Sequence, residues 1–242
     1  MKKYISLFLA ALMLLSLLAG CGKKSDGGDG TRTLVLRNTA GLSTNDPHAT
    51  TNTHDYTVFE NIYEGLYDLN EATGGYDLRL AEKVEANDDA TEYTVTLKQG
   101  VKFHNGETMT ADDVVFSYAH AQKDAHMGSY CRPLDHVEKV DDYTVKIVMN
   151  QPFSPIGHML HKVKIMSKKG VEELGNDFGK VPNKVGTGPY MWDENNYNPL
   201  SSWSAVAFED YHRGKAKIEK ITWNVIADDT SAITALQNGE LD

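Results

Sequence analysis

Side chains able to do chemistry are few in this sequence and widely spaced. His158 and His161 stand three apart, so on a helix they would share a face, the arrangement of two metal ligands. No Cys or carboxylate accompanies them in sequence, and Met159 and Leu160 read as core, so no metal site is expected. Asp112-Asp113 is a carboxylate pair, but Thr110-x-x-Asp113 ahead of Val114, Val115 and Phe116 is a capping box, which explains the second acid without catalysis. Cys131 has no neighbour that would activate a thiol and reads as a small buried or lining residue. No G-x-S-x-G or HExxH occurs, and Gly186-Thr187-Gly188 lacks the Gly-Lys-Ser/Thr of a phosphate loop. Thr51, Asn52 and Thr53 stand where they would cap a helix, and Tyr130 joins an apolar body to a polar tip. These residues alone point to no reaction and no cofactor, and a secreted hydrolase finds no motif to support it.

These groups need positioning, and the periodicity supplies mixed α/β elements. Tyr93, Val95 and Leu97 alternate with Thr94, Thr96 and Lys98 as in a strand with one buried face, after an Asn87-Asp88-Asp89 turn. Val84-Glu85, Asp88-Asp89 and Tyr93-Thr94-Val95 recur in compressed form as Val137-Glu138, Asp141-Asp142 and Tyr143-Thr144-Val145, which predicts two similar hairpins in one sheet. Tyr56, Phe59, Ile62, Tyr63 and Leu66 predict a helix from about 54 to 67 with one buried face. Short strands are expected at 33–37 and 218–227, and a helix at 229–238 with Ala232, Ile233 and Leu236 inward.

Residues 1–20 carry Lys2 and Lys3, then an apolar run from Ile5 to Leu18 too short to span a bilayer comfortably, which reads as a signal peptide. Leu18-Ala19-Gly20-Cys21 resembles the bacterial lipobox, and lipid on Cys21 would leave Cys131 without a partner in the chain. Residues 21–30, rich in glycine and charge, would then be a flexible tether. With a net charge of −10 over 242 residues, a nucleic-acid partner is not expected.

Ala81-Glu-Lys-Val-Glu85, Tyr93-Thr-Val-Thr-Leu-Lys98, Gly100-Val-Lys-Phe-His-Asn-Gly-Glu107 and Thr110-Ala-Asp-Asp-Val-Val-Phe-Ser117 together closely resemble the signature of the family 5 extracytoplasmic solute-binding proteins. These are the peptide, dipeptide and nickel receptors of ABC importers. Asp46-Pro47-His48, Glu64-Gly65-Leu66, Gly186-Thr-Gly-Pro-Tyr190 and Gly239-Glu-Leu-Asp242 extend the resemblance over nearly everything after residue 30. His212 departs from it, standing where the family usually has tryptophan.

The resemblance implies an α/β, periplasmic-binding-protein-like architecture: two-lobed, type II, with an extra small domain. The first lobe would comprise residues 31–70 and 185–242, and the small lobe 71–184, with a C-terminal domain missing. It implies ligand contacts from Thr51, Asn52, Thr53 and Tyr130. It further implies a monomeric, lipid-anchored receptor outside the bacterial membrane, passing short peptides to a permease and ATPase complex. A nickel, metal-chelate, haem or sugar receptor is the alternative within the family. The acidic partner of a peptide amino terminus would belong to the missing domain. Cys21→Ala is expected to abolish acylation, and equal incorporation of labelled palmitate into wild type and variant would refute the lipobox.

Overall fold

A computed structural model describes residues 32–242, so the expected signal peptide, the Cys21 lipidation site and the tether lie outside the described residues. In chain order the elements are β1 (Thr33–Asn38), α1 (Thr53–Ile62), β2 (Tyr67–Asn70), β3 (Gly75–Leu78), β4 (Ala81–Ala86) and β5 (Glu92–Leu97). There follow α2 (Ala111–Lys123), β6 (Leu134–Asp141), β7 (Thr144–Met149), α3 (Gly157–Lys162) and α4 (Lys168–Leu174). The chain ends with β8 (Tyr190–Asn198), β9 (Ser202–Ala207), β10 (Lys220–Val225) and α5 (Asp229–Gln237).

Two four-stranded sheets organise two cores. One sheet has the order β1-β10-β9-β8, with β1 parallel to β10 and the other pairs antiparallel. Trp223 of β10 lies opposite Trp203 of β9, and with Trp192 they pack against Val58, Phe59, Ile62 and Tyr63 around α1. Each large aromatic removes on the order of 200 Å² from water, so this layer is the main apolar anchor of its core. The other sheet is antiparallel with the order β4-β5-β7-β6. Its two hairpins meet along the β5–β7 seam, where Val95 faces Val145 and Tyr93 faces Ile147. The alternation expected for β5 and β7 holds: Tyr93, Val95, Leu97, Val145, Ile147 and Met149 are all buried, sharing a core with Val114, Tyr118 and Ala121 of α2. Thr110 caps α2 as expected, its backbone N–H donating to Asp113 Oδ2 at 2.9 Å.

Tertiary packing overrides the local pattern at several points. Helix α1 stops at Ile62, five residues short of the expected end, and Tyr63 to Leu66 run extended. Gly65 bridges Lys164 there, and its Cα lies so close to α3 that a Cβ would come within 2.6 Å of the Leu160 and His161 carbonyl oxygens. Tyr67–Asn70 and Gly75–Leu78 instead form a small hairpin. On α5 the buried positions are Ala232 and Ala235, whereas Ile233 and Leu236 are 57% and 54% exposed, which corrects the expected inward face. Strands β8 and β9 were not legible in the sequence, because β8 ends in polar residues and its register with β9 shifts between Trp192 and Tyr197.

The return crossing is tighter still. Gly188 donates its N–H to the Ile62 carbonyl at 3.0 Å, and a Cβ at Gly188 would lie 2.6 Å from the Asn61 oxygen and 2.7 Å from that of Ile62. These neighbours are backbone atoms that cannot rotate away. Gly188→Ala is therefore expected to destabilise the chain by roughly 2 kcal/mol or more. Urea unfolding midpoints will show this, and an unchanged midpoint would mean that the crossing can relax.

Candidate ligand-binding face

The loop after β1 is pinned from below by one buried acid. Asp55 accepts hydrogen bonds from the Thr50 hydroxyl at 2.7 Å, the Ser43 N–H at 3.2 Å and the Ser43 hydroxyl. This fixes the backbone through Thr51, Asn52 and Thr53 while all three side chains remain exposed. Asn52 is the N-cap residue of α1 by backbone conformation, and its carbonyl receives the Asp55 and Tyr56 N–H groups at 3.2 Å each. Its side chain makes no capping bond and instead reaches Ser43 Oγ at 3.5 Å. The capping role expected from the sequence is thus met by the main chain alone. The arrangement presents three polar side chains on a fixed segment.

One turn into α1 stands Tyr56, which the sequence pattern assigned to the core. It is only half-buried, because its ring leaves the tryptophan layer and points toward other segments. Lys162, the last residue of α3, holds its ammonium 4.5 Å from the Tyr56 ring centroid. The Tyr56 hydroxyl meets Met127 Sδ at 3.4 Å. Burial raises the Tyr56 phenol above the ordinary tyrosine range, with the nearby Tyr130 phenol adding to the effect. Tyr130 is half-buried, and its ring centroid lies 5.4 Å from that of His158. His158 is in turn bonded to the Tyr76 hydroxyl at 3.1 Å. Four separate segments therefore converge on one aromatic face, and Tyr56 is the member that links α1, which begins at Thr53, to Tyr130. The signal available for Tyr56 was its place three residues after Thr53, on the same side of the helix.

His158 and His161 do not act together. His158 is exposed, whereas His161 is buried and approaches Glu60 at 3.8 Å. Glu60, Asp68 and His161 are close enough to share an ion, so the fold supplies the carboxylates that the local sequence lacked. Both acids already have cations: Glu60 pairs with Lys164 Nζ at 2.8 Å, and Asp68 pairs with Arg79. Asp46, His48 and His120 form a second such group. His48 Nε2 accepts the Lys164 N–H at 3.1 Å, which leaves the proton of the neutral ring on Nδ1 and no free lone pair for a metal. His120 Nε2 bonds Asp46 Oδ2 at 2.8 Å. These groups are therefore structural polar networks. Cys131 is buried, and burial pushes its thiol up to about 12, away from reactivity.

Sequence reasoning missed Glu64 and undervalued His212. The Glu64 carboxylate is buried where the chain passes between the two cores, and it accepts from Tyr211 Oη at 2.7 Å and Thr187 Oγ1 at 3.1 Å. His212 Nε2 lies 2.9 Å from Glu64 Oε2, and Arg79 Nη1 lies 3.5 Å from Oε1. Burial alone would raise the Glu64 pKa, but the His212 bond and charge, with Tyr211 and Arg79, bring it below the usual range. A tryptophan at 212 would offer an indole N–H in place of the imidazole, so the departure from the family pattern changes what the Glu64 carboxylate meets at the crossing.

The pattern describing bacterial extracellular solute-binding proteins, family 5 Middle, matches residues 76–242. The chain belongs to this family. The glutathione-binding protein GsiB of Salmonella paratyphi A is 32% identical over 241 residues, covering 96% of this chain and 45% of GsiB. MoaA of A. tumefaciens R10, solved with mannopinic acid, is 31% identical with a TM-score of 0.81, over 88% of this chain and 44% of MoaA. The oligopeptide-binding protein AppA of Bacillus subtilis, solved with a nonapeptide, is 25% identical with a TM-score of 0.79, over 88% of this chain and 44% of AppA. The chain thus spans less than half the length of these relatives, and its α/β architecture is part of their two-lobed periplasmic-binding-protein fold. The relatives are binding proteins, not enzymes.

Two fully buried imidazoles give this fold a pH dependence. Burial lowers His48 and His104 to about 4, so both are neutral in the folded chain near neutral pH. The unfolded chain takes up these protons as the pH drops through about 6.5, while the folded chain does not, so stability falls on acidification until pH reaches about 4. The expected loss between pH 7 and pH 5 is about 2 kcal/mol per histidine. Denaturant titrations at the two pH values test this, and equal stabilities would show that the rings are protonated in place.

Proposed function

We propose that this chain is the ligand-capturing part of an extracytoplasmic receptor for short peptides, delivering them to an ABC permease and ATPase. The observation that carries the reading is the fixed Thr51–Thr53 segment with exposed side chains at the start of α1, one turn before Tyr56, whose ring lies near Tyr130. Backbone-rich ligands can be held by hydrogen bonds and aromatic packing without strict side-chain selection, as suits the peptides named for AppA and GsiB. Residues 31–70 and 185–242 make one lobe in this reading and 71–184 the other. The two separate cores support the division, although Met166, Val171 and Val185 pack with the tryptophan core and draw the boundary of the second core back to Ile165. A lipid on Cys21 would hold the receptor, as a monomer, at the outer side of the membrane.

A chain with one part of the groove must offset the entropy of immobilising a flexible peptide with few contacts, at least roughly 4 kcal/mol. Residues 22–242 alone should bind a mixed pool of short peptides no tighter than about millimolar and return them intact. Nuclear magnetic resonance titration should move the signals of Thr51–Thr53, Tyr56 and Tyr130 first. Peptide hydrolysis, or shifts confined to other surfaces, would sink the reading.

A further inference from the structure

Lys162 is the unusual cation of the ligand face. Lys164, two residues on, is 1% exposed and paired with Glu60 at 2.8 Å. Among the described residues no carboxylate lies within 4.0 Å of the Lys162 ammonium, whose nearest described partner is the face of the Tyr56 ring at 4.5 Å. Burial lowers the Lys162 pKa from its ordinary value, Glu60 opposing and Lys164 adding to that shift. Glu60 acts on it only from beyond 4.0 Å, its Oε2 being paired with Lys164 at 2.8 Å. His158, on the same short helix, is held below its usual range by burial and by Lys162, so it adds no competing charge at neutral pH. A half-buried ammonium, oriented by an aromatic face and lacking an anion, is set up to gain from one supplied from outside.

We propose that Lys162, held over Tyr56 beside Tyr130 and His158, receives a carboxylate of the bound ligand and so selects peptides with a free acid on this face. This rests on the reading of the face as the ligand groove. The carboxylate would accept hydrogen bonds from the ammonium while the neighbouring rings cover the adjoining peptide carbons. Lys162 is then a specificity determinant within the receptor, and its contribution should vanish when the ligand's acid is made neutral.

The probes are Ala-Ala-Ala with a free carboxyl terminus and its carboxamide, titrated into the 242-residue chain carrying ¹³C-labelled lysine. The acid should bind about tenfold tighter than the amide, and the Lys162 side-chain signal should move with the acid only. Lys162→Met should bring the acid down to the level of the amide, while Lys162→Arg should restore most of the preference. Equal binding of acid and amide to the wild type would overturn the inference and leave the receptor reading standing. An acid preference that survives in Lys162→Met would also overturn it. Failure of both peptides to shift any signal on this face would overturn the face as the groove, and the inference with it. If Lys162→Met does not fold, the lysine signal of the wild-type chain decides between these outcomes.

Discussion

A buried carboxylate has to be satisfied on all sides, and Glu64 sits where that requirement ties the most distant parts of the chain together. Its partners come from the hairpin region through Arg79, from the return crossing through Thr187, and from the loop before β10 through Tyr211 and His212. Removing any one would leave polar atoms buried without compensation, at a cost of about 1–3 kcal/mol for a neutral group and more for a charged one. The glycines at 186 and 188 are the other half of the same constraint. They let the return strand approach Ile62 closely enough for Thr187 to reach the carboxylate.

Short-range order was legible wherever one physical signal acted alone. The β5 alternation, the Thr110 cap and the repeated hairpin each follow from local rules, and the structure shows them at the expected residues. Long-range close approach was not legible. Nothing in Tyr63-Glu64-Gly65-Leu66 says that a neighbouring helix will come within van der Waals contact and force the chain straight. The same holds for α5, whose Ile233 and Leu236 fit a buried stripe by spacing but find only Ala232 and Ala235 turned inward.

The proposed ligand face shows the limit in sharper form. Thr51–Thr53 and Tyr130 are proposed through resemblance to a family, while the elements joining them carry no such signal. Tyr56 carried a helical core spacing and was half right, since its neighbours Phe59 and Ile62 are core. Lys162 carried no pattern at all. Its place depends on α3 ending where Tyr56 can receive its ammonium, a consequence of Gly65 lying against α3. The Tyr56–Lys162 pair is positioned by such a meeting between segments, which single-sequence periodicity does not encode.

The β4-β5-β7-β6 order places the first strand of each hairpin on the outside of the sheet. An open edge is a template for a foreign strand, yet both edges here are crowded with charge: Glu82, Lys83 and Glu85 on β4, and His136, Glu138 and Lys139 on β6. Lys83 pairs with Glu85 at 2.7 Å, and Lys146 of the adjacent strand reaches Glu138 at 3.2 Å. A second polypeptide docking edge-on would have to strip water from these groups before gaining a single ladder bond. The charged edges therefore oppose growth of this sheet beyond its own four strands, through the same strand order that builds its core.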